Sequence, residues 1–170
     1  MKNSKSKNDL WQLPIATPDG EFVAFYAEAG LAGLSFPGTG RVAASNAAAP
    51  APVRAWHRMT AAALARALAG REPGTLPPLD LSAGTAFQQS VWQALRQIRF
   101  GQTRSYGEIA RAIGKPKALR AVGGACGANP IPVLVPCHRV LAANQKIGGF
   151  SGGLDWKRRL LEREGVQPGG

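Results

Sequence analysis

Ser105-Tyr106-Gly107-Glu108-Ile109-Ala110-Arg111-Ala112-Ile113-Gly114-Lys115-Pro116-Lys117-Ala118-Leu119-Arg120-Ala121-Val122-Gly123-Gly124-Ala125-Cys126 reads as two short helices around a turn. Ser105 with Glu108 three residues later is a capping box, in which hydroxyl and carboxylate each accept a backbone N–H left free at a helix start. The helix so opened carries Ile109, Ala110 and Ile113 and ends at Gly114. Pro116 suits a first helical position, where no hydrogen bond is lost, and predicts a second helix running on over residues 118–126. Together they form a helix-turn-helix. Its second helix holds Ala121, Gly123, Gly124 and Ala125 in quick succession. Glycine weakens a helix, so small residues here point to close approach by another surface. Two readings stand at this point: packing against a neighbouring helix, or contact with nucleic acid.

Upstream, Thr85 can cap a helix carrying Phe87, Val91, Leu95 and Ile98, mostly at i, i+4 spacing. Residues 15–36 read as a small antiparallel meander, with Pro18-Asp19-Gly20 as its first turn and Glu28-Ala29-Gly30 as its second. An Ala/Pro/Ser-rich loop is expected over 41–52, an Ala/Leu-rich helix over 56–69 that stops at Gly70, and a Pro-rich linker over 73–81. Downstream, Val133-Leu134-Val135-Pro136 has the composition of a short buried strand. The expected division is a tail over 1–9, an N-terminal α/β domain with linker over 10–80, a C-terminal domain over 81–166, and a tail over 167–170.

Charge is unevenly spread. Residues 1–80 hold 8 basic and 6 acidic side chains, net +2, whereas residues 81–170 hold 13 basic and 4 acidic, net +9. A basic half points to a polyanionic partner, and nucleic acid comes first because released phosphate counterions drive binding. Two cysteines, Cys126 and Cys137, are too few for a secreted disulfide scaffold, so a reducing cytoplasm is expected. With His57 and His138 they lack finger-like spacing, so no metal or other cofactor is expected. No run is long enough for a membrane span, and the basic N-terminus has no apolar run behind it to make a signal peptide.

Cys137-His138 joins a thiol to a potential base. A free thiol of pKa about 8.5 is mostly protonated at neutral pH, so a nucleophilic cysteine needs a base or a nearby positive charge. A buried inert cysteine is the other reading of Cys137 taken alone.

The wider pattern decides between them. Pro136-Cys137-His138-Arg139-Val140, preceded by Asn129-Pro130 and followed by Gly149-Phe150-Ser151-Gly152-Gly153-Leu154, closely resembles the O6-alkylguanine-DNA alkyltransferase family. The resemblance runs from about Gly84 to Gly165 and takes in Phe87-Gln, Val91-Trp92, Ser105-Tyr106-Gly107 and Arg120-Ala-Val-Gly-Gly124. It implies an α/β (α+β) fold, with a small ribonuclease H-like antiparallel-sheet domain before a mostly helical domain. It implies a monomer that repairs double-stranded DNA containing O6-alkylguanine, through the minor groove, and irreversibly moves the alkyl group to Cys137. By the same likeness His138 is the base acting through a water, Glu164 orients it, and Tyr106 gives a proton or hydrogen bond to the departing guanine. Arg120 is the finger that fills the stack when the base flips out, while Ala121, Gly123, Gly124 and Ala125 meet the DNA backbone. Asn129 is the hinge, and Val135, Phe150 and Ser151 recognise the guanine. Without the likeness, Glu164 reads as a solvent-facing helix residue, Tyr106 as a core aromatic and Arg120 as a solvated side chain.

The chain departs from the family at Ile98-Arg99-Phe100-Gly101, where an Ile-Pro-x-Gly segment is common, and Phe150 stands where some relatives carry tyrosine. Three rival readings are a lesion-binding relative that does not transfer, a helix-turn-helix transcription factor, and a Cys-His hydrolase. The first conflicts with the presence of Cys137. The second lacks an evident dimerisation element, and the third leaves the basic half unexplained.

Overall fold

The computed structural model describes residues 10–39 and 48–169. The expected tail over 1–9, most of the expected loop over 41–52, and residue 170 lie outside that description. The expected mixed fold is present. A three-stranded antiparallel sheet runs in the order β1 (Trp11–Thr17), β2 (Gly20–Ala27), β3 (Gly30–Ser35). Thr17 lies opposite Gly20, and its hydroxyl donates to the Gly20 carbonyl at 2.7 Å, so the Pro18-Asp19 turn is tied by its own strand end. The central strand is the most buried, with Phe22, Ala24 and Tyr26 inaccessible to solvent.

Helix α1 (Ala51–Leu68) begins five residues before the expected 56, because Pro52 sits in the first turn, where its missing N–H costs nothing. Helix α2 (Ala86–Leu95) has the capping box of Thr85 and Gln88, and Ile98 follows beyond its end, still buried. The second capping box holds as well: Glu108 N–H donates to the Ser105 hydroxyl at 3.1 Å, and Ser105 N–H to the Glu108 carboxylate at 2.7 Å. It opens α3 (Tyr106–Ala112), and α4 (Leu119–Gly127) completes the helix-turn-helix. Pro116 lies in the turn between these helices rather than at the first position of the second.

Two short strands place the chemistry. β4 (Arg104–Ser105) pairs in parallel with β5 (Val140–Leu141), Arg104 opposite Val140. That register sets the start of α3 beside the segment just after Cys137. Helix α5 (Leu154–Arg163) follows.

Residues 133–136 are not a strand. Val133 adopts a left-handed φ of 73°, Val135 N–H reaches back to the Ile131 carbonyl at 2.9 Å, and the chain coils into a buried turn. Burial was legible in the apolar composition, but Pro132 and Pro136 cannot donate to a sheet ladder. The Asn129 side chain supplies bonds that a neighbouring strand would have given. It donates to the Val135 carbonyl at 2.8 Å and accepts Ile131 N–H at 3.0 Å.

One hydrophobic cluster runs through both halves of the chain, from Phe22, Leu31 and Leu64 to Val91, Leu95, Val122, Ile131, Cys137 and Leu160. Backbone bonds from Leu31 N–H to Pro78 and from Leu34 N–H to Pro130 join the sheet to the later segments. Asp19, in the first hairpin turn, accepts from Arg159 at 2.6 Å and from Arg163 at 2.7 Å, which fixes α5 to that turn. No helix among the described residues is long and apolar enough to cross a membrane.

Candidate active site

Cys137 opens a single 3-10 turn, Cys137–Arg139, whose three residues are all buried. Burial pushes its thiol pKa up to about 11, against the opposing influence of Asn129 and the Lys157 ammonium. The resting group is therefore a protected thiol, and ionisation requires a partner to take the proton.

His138 follows Cys137 directly in the chain and is the candidate partner. Its Nε2 lies 3.3 Å from Glu164 Oε1 at the end of α5, so Nε2 carries the hydrogen and Nδ1 is left as the acceptor. Among the described residues, Nδ1 is the buried side-chain nitrogen or oxygen without a protein partner. Buried polar atoms are nearly always paired, so Nδ1 stands out as an acceptor that no protein group satisfies. Burial lowers the histidine pKa and Glu164 opposes that effect, leaving a neutral base.

Glu164 also holds Arg139 through both carboxylate oxygens, with contacts of 2.5 to 3.1 Å, and Arg139 Nη1 donates to the Ile98 carbonyl at 2.7 Å. The Arg139 guanidinium lies 5.7 Å from the Phe100 ring centroid. The segment that departs from the family pattern thus supplies a carbonyl and a ring to this arginine. Burial raises the cost of the Glu164 charge, but hydrogen bonds from His138 and Arg139 outweigh it and keep the carboxyl below its ordinary value.

Tyr106 is half-buried, and burial raises its pKa, with Cys126 and Cys137 close enough for their charge to add to that effect. Gly148 has φ 68°, and a Cβ there would lie 3.2 Å from the Tyr106 hydroxyl, so glycine lets the loop close on the ring. Phe150 packs edge-on against Phe36 at 5.8 Å between centroids, while Ser151 is exposed beside it.

On α4, Arg120, Ala121 and Gly124 are exposed and Gly123 is partly so. A Cβ at Gly124 would meet nothing within 4 Å, and one at Gly123 only the edge of Tyr106 at 3.9 Å. Packing inside the protein therefore does not require glycine at either position. Ala125 departs from the expected contact set. It is 2% exposed and its carbonyl accepts the Trp92 indole N–H, so it faces the core. Val135 departs too, because its carbonyl already accepts from Asn129 and from Cys137 N–H, leaving no lone pair for a base.

Residues 86–166 match the family model described as 6-O-methylguanine DNA methyltransferase, DNA binding domain. A crystal structure of Mycobacterium tuberculosis OGT in complex with DNA superposes with a TM-score of 0.74 at 40% identity, covering 89% of this chain and 90% of that one. The chain belongs to the O6-methylguanine DNA methyltransferase family. A curated methylated-DNA–protein-cysteine methyltransferase from Haemophilus influenzae is 55% identical over 83 residues, 49% of this chain and 46% of that protein. Its counterpart from Methanosarcina acetivorans is 60% identical over 82 residues, 48% of this chain and 53% of that protein. These two matches thus span about half the length of the curated relatives.

In this member of the family the structure brings together Cys137, His138, Glu164, Tyr106 and Asn129, and sets Arg120 on an exposed helix face. Sequence reasoning missed Arg139 and Lys157. Lys157 had a signal: with Leu160, Leu161 and Glu164 it falls at i, i+3, i+4 and i+7, the buried stripe of α5. Arg139 had none beyond its place in the quoted motif.

Proposed function

We propose that this protein repairs DNA by irreversible transfer of an alkyl group from O6 of guanine to Cys137. The observation that carries this reading is the buried Cys137 followed directly in the chain by a buried His138 whose Nε2 is held by Glu164 and whose Nδ1 has no protein partner. The thiol proton passes to His138 Nδ1, by way of a water, as the thiolate attacks the alkyl carbon in line. An S–C bond forms, the C–O6 bond breaks, and its electron pair stays on guanine. Tyr106 gives the proton that neutralises guanine and recovers one from the His138 side, so the thiol proton ends on the leaving base. The product is a thioether with no leaving group, and each molecule acts once. Excess lesion duplex should consume one alkyl group per protein and then stop, and repeated turnover would contradict the proposal.

The partner is double-stranded DNA bound from the minor groove by a monomer, in the cytoplasm, with residues 81–166 as the acceptor and DNA-binding domain and 10–80 as the supporting α/β domain. Of the small residues on α4, Ala121, Gly123 and Gly124 would let the helix lie against the sugar-phosphate walls. Gly124→Ala tests this. Alanine should stabilise the free protein by about 0.5–1 kcal/mol, since a helical glycine costs that much and the Cβ meets nothing. Affinity for duplex DNA should fall instead. A binding isotherm unchanged by the substitution would remove α4 from the interface.

Arg120 is exposed on α4, which suits its guanidinium to fill the gap that a flipped base leaves. Arg120→Ala should slow transfer from a duplex lesion by about 10-fold or more, given an unstacking cost of a few kcal/mol, and spare transfer from a free alkylguanine base. Equal losses on both substrates would count against the role.

A further inference from the structure

Lys157 is fully buried, and its Nζ donates to the Val140 carbonyl at 2.7 Å and to the Gly149 carbonyl at 3.0 Å. Val140 lies three residues after Cys137, and Gly149 directly precedes Phe150 and Ser151. One ammonium thus joins the acceptor segment to the loop proposed to face the base. Burying an ammonium is costly, and an apolar side chain would fill the same stripe of α5 beside Leu160 and Leu161 without that cost. A cation retained here calls for a counter-charge.

The charges around the acceptor identify it. Arg139 and Glu164 cancel each other, and His138 is neutral, so Lys157 leaves this buried group with a net positive charge while Cys137 is a thiol. When Cys137 passes its proton to His138 the net charge of the group is unchanged, and the thiolate becomes the anion whose charge Lys157 feels.

On the reading of Cys137 as acceptor, we infer that Lys157 is a positioning residue for the transfer. It holds the Gly149 loop against Val140 and serves as the counter-ion of the thiolate formed at Cys137. The groups it faces are Cys137 and His138 on the 3-10 turn and Cys126 on α4, and Cys126 stays a thiol because burial pushes it up to about 12. Burial brings the Lys157 pKa down to about 8. Lys157 is therefore charged at neutral pH and loses its proton as the pH rises through about 8, before the Cys137 thiol ionises unaided.

A pH–rate profile on a free O6-alkylguanine base, scored by the mass of the Cys137 peptide, tests this without interference from DNA binding. The wild-type rate should fall as pH rises past about 8, opposite to an ordinary thiol, whose rate climbs with its thiolate fraction. Lys157→Met should be at least about 10-fold slower at neutral pH, because without the nearby opposite charge less of the thiol ionises. Its rate should then rise through the alkaline range. A wild-type rate that climbs through pH 8 while Cys137 is alkylated would overturn the inference, as would a folded Lys157→Met with the wild-type rate and profile. If the methionine variant does not fold, the wild-type profile decides alone. No alkyl on Cys137 at any pH would instead overturn the acceptor reading itself.

Discussion

Cys137→Ala is expected to take up no alkyl group at all while binding a lesion duplex as tightly as the wild type. The side chains proposed to face DNA lie on α4, whereas the sulfur lies in the buried turn after residue 136, so removing it leaves the exposed helix face as it was. Loss of one buried sulfur should cost about 1 kcal/mol in packing, too little to unfold the chain. Cys126 cannot substitute, because its own thiol is buried and pushed up to about 12 with no base assigned to it. Mass of the intact variant after incubation with lesion, together with an equilibrium binding isotherm, checks both halves of the expectation. Residual transfer would move the acceptor elsewhere, and lost binding would mean that the sulfur supports the interface.

Glu164→Ala has the second largest expected effect, on stability and rate together. The carboxylate is the partner of a buried arginine, and its own side chain is 5% exposed. Removing one member of such a pair leaves Arg139 as an uncompensated buried charge, at a cost of about 3–5 kcal/mol, measurable by urea unfolding. The same change frees His138 to take either tautomer, and transfer should slow by about 100-fold or more, the range ascribed to a positioned general base. Glu164→Gln keeps an acceptor for His138 but loses the charge opposite Arg139, so it should recover rate more than stability.

The pH dependence follows from the same residues. Glu164 has a folded pKa below its unfolded value of about 4.3, so its contribution is fully present above that value and is lost as pH falls through the folded one. Asp19, held down first by its hydrogen bond from Arg163, behaves the same way from an unfolded value of about 3.9. His138 is lowered by burial, so the unfolded chain binds the extra proton and stability already declines as pH falls below about 6.5.

Local chemistry made much of the fold legible. Thr85, read as a cap, and Ser105, read as a capping box with Glu108, each opened a helix, and the Pro18-Asp19-Gly20 turn joined the two strands it was read to join. Signals failed where the local rule had two solutions. Proline can stand in a turn or at a helix start, which misplaced Pro116 and moved the start of α1 to the other side of Pro52. Apolar composition reports burial without geometry, which hid the left-handed Val133 and the coil that Asn129 stitches together. Ala125 was placed among the DNA contacts because it is small, but the orientation of a small residue depends on helix phase, and Trp92 claims it for the core. Within the site, Cys137 and His138 were legible as neighbours, but the inward turn of Glu164 depends on contacts across 26 residues of chain. Lys157 was hidden because a lysine on an apolar stripe reads as an exposed charge until its carbonyl partners are seen.

Peptide mass after reaction with an oligonucleotide duplex containing O6-methylguanine tests the acceptor reading most directly. One methyl group on the peptide that holds Cys137, none on the peptide that holds Cys126, and guanine restored in the DNA is the predicted result. An unmodified Cys137 beside an intact lesion would contradict it.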